Sequence, residues 1–359
     1  MHSDVITHLD QVTRDWLTAA LVKSGALTHG TVASVTMEFR QRELSTSARL
    51  ILRYSADAQG DRPGRLFIKL VNTDMEDEFF GASEVNYYTR DYVGLVDAPI
   101  PRCYDAAYSG EQQRYHILMD DLAPTHVEAY TKAPTLDYGL ALAEALATLH
   151  AHWWGAERLA DGGEPIPGAA AIQRFVDVAR PGADHILAAC AGQLAPHWPA
   201  AIRALFDWHP PAMVTRTCVG AGFTLIHGDV NGGNVFVPVS GDRPLYIVDR
   251  QPFDWSLTTW LGVYDLTYAI VHRWEPALRR QWEQPILCHY LACLHARGVA
   301  DYSWEQLLAD YRLCAPMSVY VAVEWCRGGL NEETRPFWLP MLQKTMVAFD
   351  DLGCAHLQP

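Results

Sequence analysis

The chain has 359 residues, 49% hydrophobic and 19% charged, a balance that supports two sizeable cores or one large two-lobed one and excludes disorder, collagen-like repeats and a coiled coil. With 28 Lys and Arg against 42 Asp and Glu the net charge is −14, which removes sequence-independent nucleic-acid binders, since these need a basic surface. No apolar run reaches the length of about 18 residues needed to cross a bilayer; the Ala-rich stretch 138–154 is broken by Glu144. Residues 1–10 are polar and lack the charged-then-apolar order of a secretory signal. Eight cysteines are scattered without CxxC spacing, so buried thiols in a reduced, cytoplasmic protein are expected, with neither nucleic acid nor membrane as partner.

In chain order, residues 32–39 and 48–54 alternate as strands, and Arg65 to Val71 is a compact apolar run. The polar, Gly- and Pro-containing segment 55–64 predicts a hairpin connection between the last two. Residues 76–92 have helical character, with Phe79, Val85, Tyr88 and Tyr92 on a broad apolar side, and Pro99-Ile100-Pro101 stops the pattern. Strands are expected at 102–108 and 115–119, joined at Ser109-Gly110. Past Asp120 helix dominates. Leu136, Leu140, Ala143, Leu146 and Trp153 share one face of a long helix, followed by a Pro/Gly-rich loop at 161–168. Short strands at 224–227 and 244–248 interrupt the helical half, and helices at 279–297, 304–313 and 337–352 close it. The plan is a small α+β lobe, 1–121, and a larger, mainly helical lobe, 122–359.

The strongest local signal is His227-Gly228-Asp229-Val230-Asn231-Gly232-Gly233-Asn234, directly after a strand-like run. An Asp followed five residues later by an Asn is the spacing of a phosphotransfer loop. There the Asp accepts a hydroxyl proton while the Asn reaches a Mg²⁺ on the phosphates. An Asn- and Gly-rich turn needs no function, so the spacing alone leaves both readings open. A second carboxylate, Asp249, ends the run 245–248 fifteen residues after Asn234, where a metal ligand belongs. Lys69 interrupts the apolar strand Leu66-Phe67-Ile68-Lys69-Leu70, and burying it is costly unless it meets an anion. Glu84 lies on the helix that follows and is placed to hold it. Lys, Glu, Asp, Asn, Asp in that order, on strand, helix, loop and strand, is a far more specific signal than any of them singly.

With these residues the chain resembles the aminoglycoside phosphotransferase and choline kinase superfamily, which has the protein-kinase-like fold. It looks closest to the ecdysteroid-kinase-like branch of small-molecule kinases, through residues 83–88, 100–106, 117–122 and 146–154 and Tyr264-Asp265-Leu266. The likeness spans about residues 67–270 and implies an α+β, bilobal fold: an antiparallel sheet plus helix in a nucleotide-binding N-lobe, and the catalytic loop and acceptor pocket in a helical C-lobe. It also implies ATP and Mg²⁺ as cofactors, Asp229 as catalytic base, and Asn234 and Asp249 as metal ligands. Lys69 would bind phosphate with Glu84 orienting it, and Met119, Asp120 and Leu122 would offer backbone to the adenine edge. His227 and Asp265 are expected to brace the loop rather than to react.

Two departures stand out. The nucleotide loop, expected at 40–47, has no Gly, so hydroxyls of Ser45, Thr46 and Ser47, with Arg42, would stand in for backbone donors. Arg250 follows the metal Asp where the family usually has an aromatic or aliphatic residue, and Asp254 is its expected partner.

Eleven of twelve tryptophans follow residue 150. Trp255, Trp260 and Trp274 suggest either an aromatic pocket wall or core filling. The reading is therefore an ATP- and Mg²⁺-dependent kinase for a hydroxyl on a small molecule, with a hydrophobic or ring-bearing alcohol favoured. The alternatives are an aminoglycoside- or choline-type kinase acting on a cationic alcohol, a degenerate binding protein of the same fold, and a metal-dependent hydrolase using His227, Asp229 and Asp249.

Overall fold

Period-two alternation in the first third of the chain builds an antiparallel sheet with one greasy face. In the computed structural model, which describes residues 5–41, 45–71 and 80–357, its strands are β1 (Val32–Gln41), β2 (Ser45–Tyr54), β3 (Arg65–Val71), β4 (Cys103–Ser109) and β5 (Arg114–Asp120). Their order across the sheet is β1-β2-β3-β5-β4. Ala48, Leu50, Leu52, Leu66, Ile68, Leu70 and Leu118 point to one face and join Leu17 and Leu21 of helix α1 (Arg14–Lys23) in a single cluster. Thr13 caps α1 by accepting from the Trp16 N–H at 3.1 Å. Lys69, between Ile68 and Leu70, must then face the other side of the sheet.

The chain divides into two compact units, Met1–Val127 with Phe236–Asp254, and Glu128–Val235 with Trp255–Pro359. The first unit thus takes back the segment carrying Asp249, which docks through Ile247 N–H to Pro99 C=O at 2.8 Å and His126 Nε2 to Pro244 C=O at 3.0 Å.

Two expectations change. β1 and β2 stay paired from Val32↔Tyr54 to Gln41↔Thr46, so Ser45 and Ser47 lie in a strand and not in a loop. The ladder extends because β3 also pairs with this stretch, Ser45↔Val71, Thr46↔Leu70 and Ser47↔Lys69, so it is held as an interior strand. Arg42 lies outside the described residues. Of the helix expected over 76–92, residues 76–79 also lie outside them; the helical part is the α-helical turn α2 (Ser83–Asn86), continued as a π-helix through Tyr87–Asp91, while Phe80 makes a β-bridge with Phe253.

The second unit is mainly helical: α3 (Leu136–His152), α4 (Ala169–Ala189), α5 (Trp198–Arg216), α6 (Val263–Arg273), α7 (Pro276–Ala296), α8 (Trp304–Cys314), α9 (Met317–Glu324) and α10 (Arg335–Asp351). Helices α4 and α9 meet so closely that a Cβ at Gly182 would overlap the Val323 carbonyl oxygen. A two-stranded ribbon, β6 (Phe223–Leu225) against β7 (Thr259–Leu261), delivers the loop that follows Leu225. All eight cysteines are free, and among the described residues no helix is long and apolar enough to cross a membrane.

Candidate active site

In the first unit, Lys69, Glu84 and Asp249 come together. The Lys69 ammonium lies 2.8 and 2.9 Å from the two Glu84 carboxylate oxygens and 3.2 Å from Asp249 Oδ1. Glu84 is fully buried, whereas the Asp249 side chain is 38% exposed, so only the latter reaches out of the cluster. The Tyr115 hydroxyl also donates to Glu84. Burial opposes the charge on Lys69, but Asp249 and Glu84 outweigh it and hold the ammonium protonated well above its usual range. Burial pushes the Glu84 carboxyl up to about 7 against the pull of Lys69.

Met119, Asp120 and Leu122 lie at and just beyond the end of β5. Asp120 N–H already donates to Arg102 C=O at 3.0 Å, and the Leu122 carbonyl accepts from Thr125 and His126. Asp121 is held by Arg65 at 3.0 Å. Ser47 pairs in register with Lys69, and Ser45 with Val71.

In the second unit, the loop after β6 is pinned by its main chain. Asp265, in the first turn of α6, accepts the N–H of His227 at 2.6 Å and of Gly228 at 2.8 Å. His150 Nε2 reaches the same carboxylate at 3.1 Å, and its Nδ1 meets the Tyr290 hydroxyl at 2.8 Å. Burial works against ionised Asp265, yet His150 and the His227 region hold it below the usual carboxylate range. Gly228 takes φ +81°, the left-handed region that glycine enters without strain. His227 turns inward, its Nδ1 accepting the Asp229 N–H at 3.3 Å.

The Asp229 carboxylate is gripped by three donors. Asn231 Nδ2 reaches Oδ1 at 2.9 Å, Asn234 Nδ2 reaches Oδ2 at 2.9 Å, and the Tyr268 hydroxyl reaches Oδ1 at 2.6 Å. Asn234 Nδ2 also donates to Asp229 C=O at 2.9 Å, so its amide hydrogens are turned into the loop and its oxygen is the atom suited to a hard cation. Tyr268 went unnoticed in the sequence. Burial and the charge of Asp229 raise its hydroxyl well above the usual phenol range, which keeps it a donor.

Trp260 and Trp274 are core residues, packed on Phe223 and on Tyr138 and Trp282. Of the three tryptophans singled out, Trp255 alone is half-buried, with its ring tilted on Phe175 at 6.5 Å.

No protein-family model matches the chain, and no curated protein matches its sequence. Solved structures do. An ethanolamine kinase of Plasmodium vivax superposes with a TM-score of 0.55 at 11% identity, covering 88% of this chain and 83% of its own. A glucosamine kinase gives 0.54 at 14%, covering 90% and 81%. A spectinomycin phosphotransferase, in complex with ADP and spectinomycin, gives 0.52 at 14%, covering 94% and 98%. The chain shares the fold of these three solved structures. That fold is α+β, with the sheet in the N-terminal region and the helices in the C-terminal region. At these identities the likeness is one of fold.

Proposed function

We propose that the chain is an ATP- and Mg²⁺-dependent kinase that phosphorylates a hydroxyl of a small molecule. The observation that carries this is the Lys69 ammonium, held between buried Glu84 and half-exposed Asp249, in a fold shared with small-molecule kinases. A lysine fixed in that way is an anchor for phosphate oxygens. The donor set suits the cofactor: Asp249 offers a carboxylate and Asn234 an amide oxygen, the hard ligands Mg²⁺ takes when phosphates and water complete its shell. Bound Mg·ATP would supply the transferable phosphoryl group and neutralise its charge.

The chain's own residues do the rest by positioning. Asp229 accepts the proton of the acceptor hydroxyl at its carboxylate, and Asn231, Asn234 and Tyr268 keep that carboxylate in one orientation. Asp265 fixes the loop through its backbone. The N-terminal region, 1–121, is assigned to nucleotide binding. The adenine edge is assigned to backbone of Met119, Asp120 and Leu122, of which Asp120 N–H and Leu122 C=O are already bonded and Met119 pairs in register with Phe67 and Cys103 inside the sheet. Ser45 and Ser47 are assigned to the phosphate side from β2. A hydrophobic or ring-bearing alcohol is the favoured acceptor, and a cationic amino-alcohol its rival. The hydrolase reading loses ground because His227 Nδ1 is bonded within its own loop, and because it assigns nothing to Lys69 and Glu84.

Calorimetric titration with ATP, with and without Mg²⁺, is the test, followed by an acceptor screen of sterol-like alcohols and amino-alcohols. Mg²⁺-strengthened binding that weakens in Asp249→Ala supports the proposal. Absence of nucleotide binding with every acceptor present refutes it.

A further inference from the structure

Arg250 is the residue at which the chain departs from the family it resembles. It is 2% exposed, and a guanidinium is buried that deeply only when paired. It pairs with Asp91, a residue far from it in the chain, with Arg250 Nη1 2.6 Å from Asp91 Oδ2. The other oxygen of Asp91 accepts from Arg90 Nε at 2.7 Å. Asp91 is the last residue of the π-helical stretch, a rare geometry that resets the side chains following it by one position relative to an α-helix.

That ion pair is one of a series. The Tyr87 hydroxyl donates to Ile247 C=O at 3.1 Å, and Asp249 N–H lies 3.4 Å from the Tyr88 hydroxyl. Gly81 N–H donates to Pro252 C=O at 2.9 Å, and Phe80 stacks on Phe253 at 5.2 Å. Residues 80–91, which carry Glu84, therefore hold residues 247–253 on both sides of Asp249. Asp249 itself has φ +60°, a left-handed setting that a residue with a Cβ keeps only where its surroundings enforce it.

We infer that Arg250 is a positioning residue for Asp249: through the buried pair with Asp91 it fixes the left-handed turn that aims the Asp249 carboxylate at the metal. An apolar pair of equal volume would fill the space as well, but it has no preferred direction and would let the turn relax. The inference rests on the reading of Asp249 as a Mg²⁺ ligand.

The experiment compares wild type, Arg250→Met, Arg250→Lys and the double variant Asp91→Leu with Arg250→Met. Each is titrated with ATP alone and with Mg·ATP by calorimetry, and hydrogen exchange of residues 246–251 is followed in the same proteins. ATP alone should bind all four alike. The gain in affinity on adding Mg²⁺ should fall at least tenfold in Arg250→Met and in the double variant and partly recover in Arg250→Lys, with exchange of 246–251 at least tenfold faster. The double variant removes the buried carboxylate together with the guanidinium, so it serves if Arg250→Met does not fold. A folded variant without the pair that keeps the wild-type Mg²⁺ gain overturns the inference. Failure of the metal reading is separate: wild type itself then shows no Mg²⁺ gain. In that case unchanged exchange of 246–251 in the double variant overturns the positioning role, and faster exchange confined to that segment upholds it.

Discussion

Tyr268 donates to Asp229 Oδ1 across 2.6 Å, from a helix 39 residues further along the chain. Its ring packs edge-on against His272 at 4.4 Å, so the phenol has little freedom to swing away. A hydrogen bond to a charged group contributes about 1.5–3 kcal/mol. Tyr268→Phe should therefore lower kcat about ten- to hundredfold and leave acceptor KM near wild type. A shifted pH–rate profile would accompany it, because the carboxylate has lost a donor that favours its ionised form. Steady-state kinetics across pH decide this, and an unaltered kcat would remove Tyr268 from the assignment.

Asp229→Asn should cost about 10²–10⁴-fold in kcat, the range for a general base, with nucleotide affinity preserved. Turnover close to wild type would mean that the proton leaves by another route.

For Lys69→Met the expected loss falls on nucleotide binding and kcat together. Removing the ammonium also leaves Glu84 fully buried beside Asp249 with no cation between them. Glu84 should then take up a proton more readily, and pairing Lys69→Met with Glu84→Gln should recover folding stability but not activity. Thermal melts beside kinetics separate the two effects. Recovery of activity in the double variant would contradict the role given to Lys69.

Stability should decline on acidification through two buried histidines. Burial holds His209 down to about 4 and His272 to about 3, while in the unfolded chain both protonate near 6.5. Unfolding thus takes up protons below pH about 6.5. The stability due to neutral rings is complete above that value and drains away as pH falls towards the folded pKa values. Between pH 6.5 and 5 each ring accounts for about 2 kcal/mol. Urea unfolding of wild type and His272→Gln at pH 7.5 and 5 checks the sign: the variant should lose less on acidification, and an equal loss would place the acid sensitivity elsewhere.

Gly182→Ala should destabilise by about 2–4 kcal/mol, since the new methyl meets backbone, the Val323 carbonyl, rather than a side chain able to move. A Tm unchanged from wild type would show that α4 can shift along α9 at little cost.

The strands and the chemistry-bearing residues were the most legible part of the sequence. Lys69 is visible because a lone charge inside Leu66–Leu70 breaks an apolar pattern, and Asp229 and Asn234 because their spacing is tied to a turn. Helices α4 and α5 were not legible because Pro181, and Pro210 with Pro211, stand inside them and mimic breaks. Tyr268 had a signal that was available: it sits three residues after Asp265, hence on the same helix face as the group that grips the loop. Arg250 stood out, but its pairing with Asp91 had no signal, because the two are 159 residues apart and Asp91 is presented by a π-helical turn that no periodicity announces.

The grip of Asp265 on His227 and Gly228 is made to peptide N–H groups, so nothing in it depends on which side chain stands at 229. The main-chain hold therefore survives a change at that side chain, even though Asn231 and Asn234 also bond the carboxylate there. A chain silenced at that one carboxylate should keep its architecture and still be able to receive an acceptor it cannot convert. Such a protein is bait: immobilised and washed with an extract in the presence of Mg·ATP, it would retain the natural acceptor for identification by mass.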